Sequence, residues 1–234
     1  LAWQINAKTN HLNVHSILNS IPLQDLTGNV VASGTQQRIR QANRAVVTRH
    51  DVTINQIDMT GDLLGANNSK KHLALKGAGK VRADVLGNKL SYIAAKFDGS
   101  LNAPNVPAGS FKFDIAGTPQ QLKITQFSHQ GKEGYINANG SIDMTNGAGW
   151  HINADMKNFD ASYFVPSLPS QITGTINTDG YWRAGAQYIH IANMNLKGRL
   201  KNQPLLATGQ LTAKLNFPKD LSSLRQVIEN GANS

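Results

Sequence analysis

The stretch Gly149-Trp150-His151-Ile152-Asn153-Ala154-Asp155-Met156-Lys157 indicates the fold of this chain. Trp150, Ile152, Ala154 and Met156 fall on one side of an extended chain, and His151, Asn153, Asp155 and Lys157 fall on the other. Alternation with a period of two residues is typical of a β-strand that is buried on one face. The stretch therefore predicts a strand with one apolar and one polar face.

The same phrase occurs near the start of the chain, as Ala2-Trp3-Gln4-Ile5-Asn6-Ala7-Lys8. The two tryptophans are 147 positions apart, and Leu26-Thr-Gly28 matches Ile172-Thr-Gly174 with a slip of one residue. This period is longer than the 20–50 residues of common solenoid repeats. We therefore expect two multi-strand β modules, residues 1–148 and a shorter second module, residues 149–234, in one continuous elongated sheet.

About a dozen alternating segments, separated by short turns rich in Gly and Asn, predict an all-β fold with mainly antiparallel strands. Gly87-Asn88 is a two-residue hairpin signal, and Gly131-Lys-Glu-Gly134 predicts a turn. One late segment alternates as Ala192, Met194 and Leu196. Glycines recur on the apolar side of the strands, and glycine inside a strand permits bending, so we expect one long, curved sheet. Helical spacing is confined to residues 220–230.

Composition narrows the classes of partner. The 234 residues carry 23 Lys plus Arg against 14 Asp plus Glu, a net charge of +9, which favours acidic partners. The cations alternate with apolar residues, as Lys76, Lys80 and Arg82 do, and this is typical of solvated strand faces; no nucleic-acid partner is expected.

No run approaches the roughly 20 apolar residues of a membrane-spanning helix. The chain opens inside a strand motif, and we expect it to be a segment of a longer protein.

Motifs of known enzyme classes are missing from the sequence. There is no cysteine, no Gly-x-Ser-x-Gly and no phosphate-binding P-loop, and the seven histidines are dispersed. Lys76-Gly77-Ala78-Gly79-Lys80 lies inside a strand pattern with no helix after it. We expect a protein that is not an enzyme and that has no cofactor, no catalytic residues and no metal site.

The apolar side of the strands has two interpretations. It could form the dry core of a sandwich, barrel or structural and adhesive β-solenoid, or it could line an open trough that holds acyl chains or hydrophobic strands. The pattern by itself favours the core.

The two Trp-x-Ile-Asn-Ala phrases, each followed by a loop ending in Ile-Pro or Leu-Pro and then by a Thr-Gly strand, resemble the TamB family. Leu196-Lys-Gly-Arg-Leu-Lys-Asn-Gln-Pro-Leu205 is similar to a strand pair that recurs in that family. The family comprises inner-membrane subunits of the translocation and assembly module of Gram-negative bacteria, and it is similar to AsmA-like bridge proteins. The resemblance is one of loose motifs, so it carries over no individual functional residue.

What the resemblance implies is a taco-like folded sheet with a continuous hydrophobic groove. The expected function is to shield phospholipid acyl chains during transport between the inner and outer membranes, and to support assembly of outer-membrane proteins and autotransporters. The implied location is the periplasm, in a protein anchored in the inner membrane. The implied partners are phospholipids or hydrophobic β-strands in the groove, and a TamA-type Omp85 protein that other parts of the chain would bind.

The residues that we expect to line the groove are the large apolar residues of the alternating strands. They are Trp3, Ile5, Leu73, Leu75, Val81, Phe111, Phe113, Ile136, Ile142, Trp150, Ile152, Met194, Leu196, Leu211 and Leu215.

Overall fold

The structure is a computed structural model, and it describes residues 1–16, 23–40, 45–64, 70–103, 106–145, 147–163, 168–183 and 186–216. The helix expected over residues 220–230 lies outside the described residues. Among the described residues, no helix is long and apolar enough to span a membrane. The predicted all-β fold with antiparallel pairing is confirmed.

The described residues form twelve strands, which follow one another in the sheet in chain order. They are β1 (Ala2–Leu12), β2 (Leu23–Arg40), β3 (Val46–Leu64), β4 (Lys70–Leu86), β5 (Lys89–Ala103), β6 (Val106–Gly117), β7 (Gln121–Gly131), β8 (Gly134–Asp143), β9 (Gly149–Phe159), β10 (Ser170–Arg183), β11 (Ala186–Leu200) and β12 (Gln203–Asn216). A short 3-10 turn, Ala161–Tyr163, lies between β9 and β10.

Both predicted turns are confirmed. Gly87 and Asn88 separate β4 from β5, and Gly87 has a φ of 64°, a conformation that glycine adopts without strain. Lys132 and Glu133 form the turn between β7 and β8.

The chain divides into two compact units. Unit 1 comprises residues 1–114 and 129–133, and unit 2 comprises residues 115–128 and 134–234. The module boundary between residues 148 and 149, which the repeat suggests, stays a prediction.

Bulges keep the apolar residues on one face where simple alternation fails. In β3, Ile54 pairs with Gly79 and Ile57 pairs with Gly77, although the isoleucines are three residues apart. The Asn55–Gln56 segment between them holds one residue more than regular alternation needs. This β-bulge returns Ile57 to the same face as Ile54. A bulge of the same kind separates Ile191 from Met194 in β11.

The two Trp-x-Ile-Asn-Ala strands share a bulge at equivalent positions. The register shifts between Thr9 and Leu12 in β1, and between Met156 and Phe159 in β9. One residue in each bulge has a positive φ, which is 54° at His11 and 50° at Asn158.

The bulges are also fastened in the same way. The backbone N–H of His11 donates to Thr27 Oγ1 at 3.0 Å, and that of Asn158 donates to Thr173 Oγ1 at 3.0 Å. Each threonine precedes a glycine with a φ near 140°, Gly28 or Gly174. The Thr-Gly phrase that the repeat shares therefore has a defined local role: its hydroxyl satisfies the N–H group that the bulge leaves without a ladder partner.

Candidate functional site: the apolar faces of the two units

Cross-strand pairing builds the apolar face of unit 1 row by row. Paired residues of antiparallel strands project from the same side of a sheet, so a chain of pairs defines one row. One row runs from β1 to β5 and consists of Trp3, Gly34, Val52, Val81 and Ala95. The next row consists of Ile5, Ala32, Ile54, Gly79 and Phe97.

The other predicted groove residues of unit 1 lie on this same face. Leu75 pairs with Met59 and Leu101, and Leu73 pairs with Gly61. Phe113 stacks on Phe97 with ring centroids 5.9 Å apart, and Phe111 meets Phe113 edge to face at 5.9 Å. The three phenylalanines therefore form one aromatic cluster.

An open cavity of about 310 Å³ lies beside this cluster. The residues that give it an apolar wall are Ile54, Ile57, Leu75, Val81, Leu101 and the three phenylalanines Phe97, Phe111 and Phe113. Such a cavity offers dispersion contacts and almost no hydrogen bonds, which suits a hydrocarbon chain better than a polar molecule.

A buried polar pair adjoins the phenylalanine cluster. His129 and Glu133 are buried and contact each other, and the His129 ring lies 6.2 Å from that of Phe111. The Glu133 side chain folds back over Gly131, where its carboxylate occupies the space that a Cβ would take. The sequence predicts the turn here but gives no signal that its glutamate is buried.

Unit 2 repeats the row arrangement over β8 to β12. Ile142, Trp150, Gly180, Ile189 and Ala213 form one row. A second row contains Ile152, Ile191 and Leu211, and a third contains Ile176 and Met194. A fourth row contains Ile136, Met156 and Leu196, with Gly174 between Met156 and Leu196.

All the predicted groove residues whose side chains are described thus lie on the apolar face of one unit or the other. Leu215 pairs with Gln187 through its backbone in β12, and its side chain lies outside the described residues. The assignment of the predicted residues to a groove stays a prediction. Apolar residues of the same faces that were not selected from the sequence include Val52, Ile54, Phe97, Ile176 and Ile189, and the same alternation marks them.

Trp3 and Trp150 each lie over a glycine of the neighbouring strand. The Trp3 ring occupies the space where a Cβ of Gly34 would lie, 2.4 Å from Trp3 Cζ2. Trp150 fills the same space at Gly180, again at 2.4 Å from Cζ2. A glycine opposite a large ring lets the ring pack against the backbone of the next strand. Since each pair is in register, this is a side-by-side contact within one row of the face.

The apolar faces are open in the described part of the chain. Only five hydrophobic residues there are buried, namely Ala32, Val47, Met156, Phe159 and Ala186. Ile5 is 49% exposed, Leu211 is 48% exposed, and Trp3 and Val81 are each 36% exposed. The other predicted groove side chains are half-buried. A face of this kind leaves contiguous apolar surface in contact with water.

The opposite face of unit 1 carries the charges. Ion pairs join Lys76 to Asp58 at 3.1 Å, Lys96 to Asp114 at 2.8 Å and Lys112 to Asp98 at 2.6 Å. These lysines alternate along their strands with residues of the apolar face, as expected for solvated strand faces. Their exposed pairs contribute little to stability.

One carboxylate of this charged face is held more firmly. Asp84 accepts hydrogen bonds from Nε and Nη2 of Arg49, at 2.9 and 3.0 Å, and from the same atoms of Arg82, at 3.2 and 3.0 Å. The two guanidinium groups hold the pKa of Asp84 well below its usual range, with Arg49 the larger cause. Arg82 also lies over the Tyr92 ring, 5.2 Å from its centroid. The cluster ties β3, β4 and β5 together.

In unit 2 a carboxylate closes the connection between β9 and β10. Asp160 Oδ1 accepts hydrogen bonds from the backbone N–H groups of Ser162, at 3.0 Å, and Ser170, at 2.9 Å. These bonds lower the pKa of Asp160. No group of three or more His, Cys, Asp or Glu side chains that could hold a metal ion occurs within the described residues.

Comparison with known proteins agrees with the resemblance in the sequence. Residues 78–234 match the family model described as TamB, N-terminal domain. The chain is also similar to the translocation and assembly module subunit TamB of Haemophilus influenzae, with 25% identity over 167 residues. That alignment covers 71% of this chain and 11% of the relative, so the chain spans only a small part of the relative's length. No solved structure matches the chain.

Proposed function

Because the chain belongs to the TamB family, we propose that its apolar faces form a stretch of groove that shields phospholipid acyl chains. Family membership makes the chain part of a TamB-like envelope protein. The proposed location is the periplasm of a Gram-negative bacterium, in a protein anchored in the inner membrane. The proposed role is the transfer of phospholipids between the inner and outer membranes, with support of outer-membrane protein and autotransporter assembly.

The observation that carries this proposal is the open state of the apolar faces. Trp3, Ile5, Val81 and Leu211 each leave more than a third of their surface exposed, and they stand in rows with half-buried apolar neighbours. In a dry core, side chains of this size would be buried. An acyl chain lying along the rows would cover this surface and leave its head group in water.

The energetics suit a transient occupant. Each methylene removed from water contributes about 0.8 kcal/mol, whichever apolar residues it contacts. The contact is non-directional, so it needs no specific residue. Transfer along such a face requires no chemical step, and we propose that the protein is not an enzyme. A TamA-type Omp85 protein is the proposed partner of other parts of the longer protein.

Site-specific photo-crosslinking in cells tests the proposal. A photoreactive amino acid at Ile152 or Leu196, in the full-length protein, is expected to capture phospholipid, which mass spectrometry of the crosslinked species identifies. The matched controls are Asn153 and Lys197, each of which is next in sequence and on the opposite face. We expect them to capture no lipid.

Three outcomes would contradict the proposal. Equal capture from Ile152 and Asn153 would mean that lipid contact does not follow the apolar face. Capture of polypeptide alone from Ile152 and Leu196 would assign the groove to hydrophobic β-strands. Absence of lipid from the crosslinks and from the purified protein would favour a structural β-solenoid without cargo.

A further inference from the structure

The strand ends of unit 1 around the β4–β5 turn form a tip that is both apolar and basic. Val47 pairs with Ile39 of β2 and with Leu86 of β4, so these strand ends are neighbours. Leu86 pairs in turn with Lys89 of β5 across the Gly87–Asn88 turn. We call this end of the sheet the basic tip, and it is defined by three exposed aliphatic and three exposed basic side chains: Val46, Leu86, Leu90, Arg38, Arg40 and Lys89.

The aliphatic side chains of the basic tip are exposed on both faces of the sheet. On the charged face, Leu86 lies two residues beyond Asp84 and is 44% exposed. On the apolar face, Val46 is 45% exposed, and Leu90, which pairs with Val85, is 41% exposed. These side chains form an apolar patch at the strand ends that is separate from the rows of the proposed groove.

Positive charge surrounds this patch. Residues 36–40, 45–48 and 85–91 include the three cations of the basic tip and no Asp or Glu. No carboxylate of the described residues forms an ion pair with any of these cations. The next carboxylate along β4 is Asp84, which two guanidinium groups hold, and the next along β3 is Asp51, which pairs in register with an arginine of β4. The basic tip is therefore a local excess of positive charge.

Exposed aliphatic groups among cations favour an anionic lipid surface over other anionic partners. Surface-bound membrane proteins combine apolar side chains that enter the head-group region with Lys and Arg that attract anionic lipids. A nucleic acid would use the cations but would leave Val46, Leu86 and Leu90 in water. A second copy of the basic tip would bring like charges together.

We propose that the basic tip docks on a bilayer that contains anionic phospholipids. Its aliphatic side chains enter the head-group region, and its cations lie next to lipid phosphates. This contact goes beyond the proposed groove, because it is made with an intact bilayer at the strand ends and does not require the apolar faces to hold lipid.

Co-sedimentation of the intact 234-residue chain with lipid vesicles tests this proposal. Binding is expected to vesicles of phosphatidylglycerol and phosphatidylethanolamine in equal parts, and should be about tenfold or more weaker to vesicles of phosphatidylcholine alone. Arg38→Gln and Arg40→Gln are each expected to weaken binding to the anionic vesicles about fivefold, the loss expected for one basic residue near an anionic surface. Leu86→Ser and Leu90→Ser should each weaken it about fivefold or more, because less apolar surface leaves water.

Two substitutions elsewhere in unit 1 are the matched controls. Lys76→Gln removes an exposed cation that is paired with Asp58. Leu12→Ser removes an exposed leucine that pairs with Leu26 near the start of β2, whereas the basic tip lies at the end of that strand. Both variants are expected to bind within about twofold of the unchanged chain, and the urea midpoint of every variant shows whether it is folded. Weakening by either control equal to that at the tip would overturn the proposal.

A fluorescent label measures entry into the bilayer directly. The chain has no cysteine, so one introduced cysteine can carry a fluorophore that is sensitive to polarity. Asn88→Cys places the label in the turn of the basic tip, and Lys132→Cys places it in the β7–β8 turn, at the other ends of the strands. On anionic vesicles, emission from the label at position 88 is expected to shift to shorter wavelength, and emission from position 132 is expected to stay unchanged.

Three results would overturn the proposal. The first is no binding to anionic vesicles. The second is unchanged binding of Arg40→Gln and Leu86→Ser, which would place the vesicle contact elsewhere and leave the acyl-chain groove standing. The third is weakening by Arg40→Gln without weakening by Leu86→Ser or a shift of the label at position 88, which would assign the tip to polyanions that it binds without entering a bilayer. Conversely, failure of lipid capture at Ile152 with intact binding at the tip would contradict only the groove.

Discussion

The strand pairs β1–β2 and β9–β10 are built with the same devices but differ in exposure. Each has a tryptophan over a glycine, a bulge with one residue at positive φ, and a threonine hydroxyl that accepts the N–H of that residue. Trp3 and Ile5 are nevertheless exposed, whereas Trp150 and Ile152 are half-buried. The reason is that β9 has a neighbour on each side, while β1 pairs only with β2 among the described strands. Local sequence sets the shape of the strand pair, and the next strand sets how much of it remains in water.

The largest expected effect comes from the glycines after the shared threonines. Gly28→Ala and Gly174→Ala should each destabilise the protein by about 3 kcal/mol or more, because the added Cβ would meet a backbone oxygen about 2 Å away at a positive φ. Urea denaturation measures the loss. Gly87→Ala is the control, since its turn has open space, and should cost about 1 kcal/mol. A small effect at either shared glycine would break the equivalence of the two strand pairs.

Truncating the tryptophans should sharpen the difference in exposure. Trp150→Ala is expected to cost about 3 kcal/mol, because the ring is half-buried against Gly180 and its neighbours. Trp3→Ala should cost about half as much, because its ring already contacts water. Thermal unfolding of the two variants compares them. Equal losses would show that the neighbouring strand does not determine the contribution of the ring.

Acid should affect the two units through different carboxylates. The depressed pKa of Asp84 means that its contribution to stability is complete above the unfolded-state pKa near 4 and is lost as the pH falls through the folded value. Asp84→Asn should therefore lower stability at pH 7 and make the loss of stability below pH 4 less steep. Urea midpoints measured across this pH range check this.

Because guanidinium groups hold Asp84, salt should weaken its contribution to stability more than that of Asp160, which backbone N–H groups hold. Equal salt sensitivity of Asp84→Asn and Asp160→Asn would contradict this assignment.

The smallest expected effect is at the shared threonines. Thr27→Val and Thr173→Val each remove the hydrogen bond that the bulge N–H donates, and each should cost about 0.5–1 kcal/mol. Thr173→Val also removes the long bond that Thr173 Oγ1 donates to Asn158 Oδ1 at 3.4 Å, so its cost should be at the upper end of this range. Hydrogen exchange of the His11 and Asn158 amides should accelerate in the corresponding variant. An acceleration in only one of them would show that the repeat extends to sequence but not to local structure.

Alternation in the sequence was sufficient to predict the strands and their apolar faces, since Trp150, Ile152 and Met194 are marked by it directly. It could not predict the bulges. Regular alternation would place Ala192 on the same face as Met194. Because β11 has an extra residue there, Ile191 lies on that face instead: Ile191 pairs with Thr178, and Met194 pairs with Ile176. Bulge positions depend on the register with neighbouring strands, which is a property of pairs of segments.

The side-chain contacts on the polar face of unit 2 could not be predicted from the sequence for the same reason. Asn153 and Asn177 lie in separate strands, and only strand pairing brings their amides together, so that Asn177 Nδ2 donates to Asn153 Oδ1. Likewise, Tyr181 and Tyr188 are brought together by the β10–β11 register. The available signal was the recurrence of asparagine on the polar side of consecutive strands, which composition by itself does not distinguish from ordinary solvation.

Under the proposed function, the position of the Trp3 and Trp150 rings has a kinetic consequence. A large ring standing upright from the sheet would divide the apolar face into compartments, whereas a ring lying over a glycine fills a depression and leaves the surface level. A hydrocarbon chain that advances by one strand on such a surface exchanges one set of dispersion contacts for a similar set, each about 0.1–0.2 kcal/mol. Its free energy along the path would then vary little, and movement would resemble one-dimensional diffusion on a smooth track rather than hopping between binding sites.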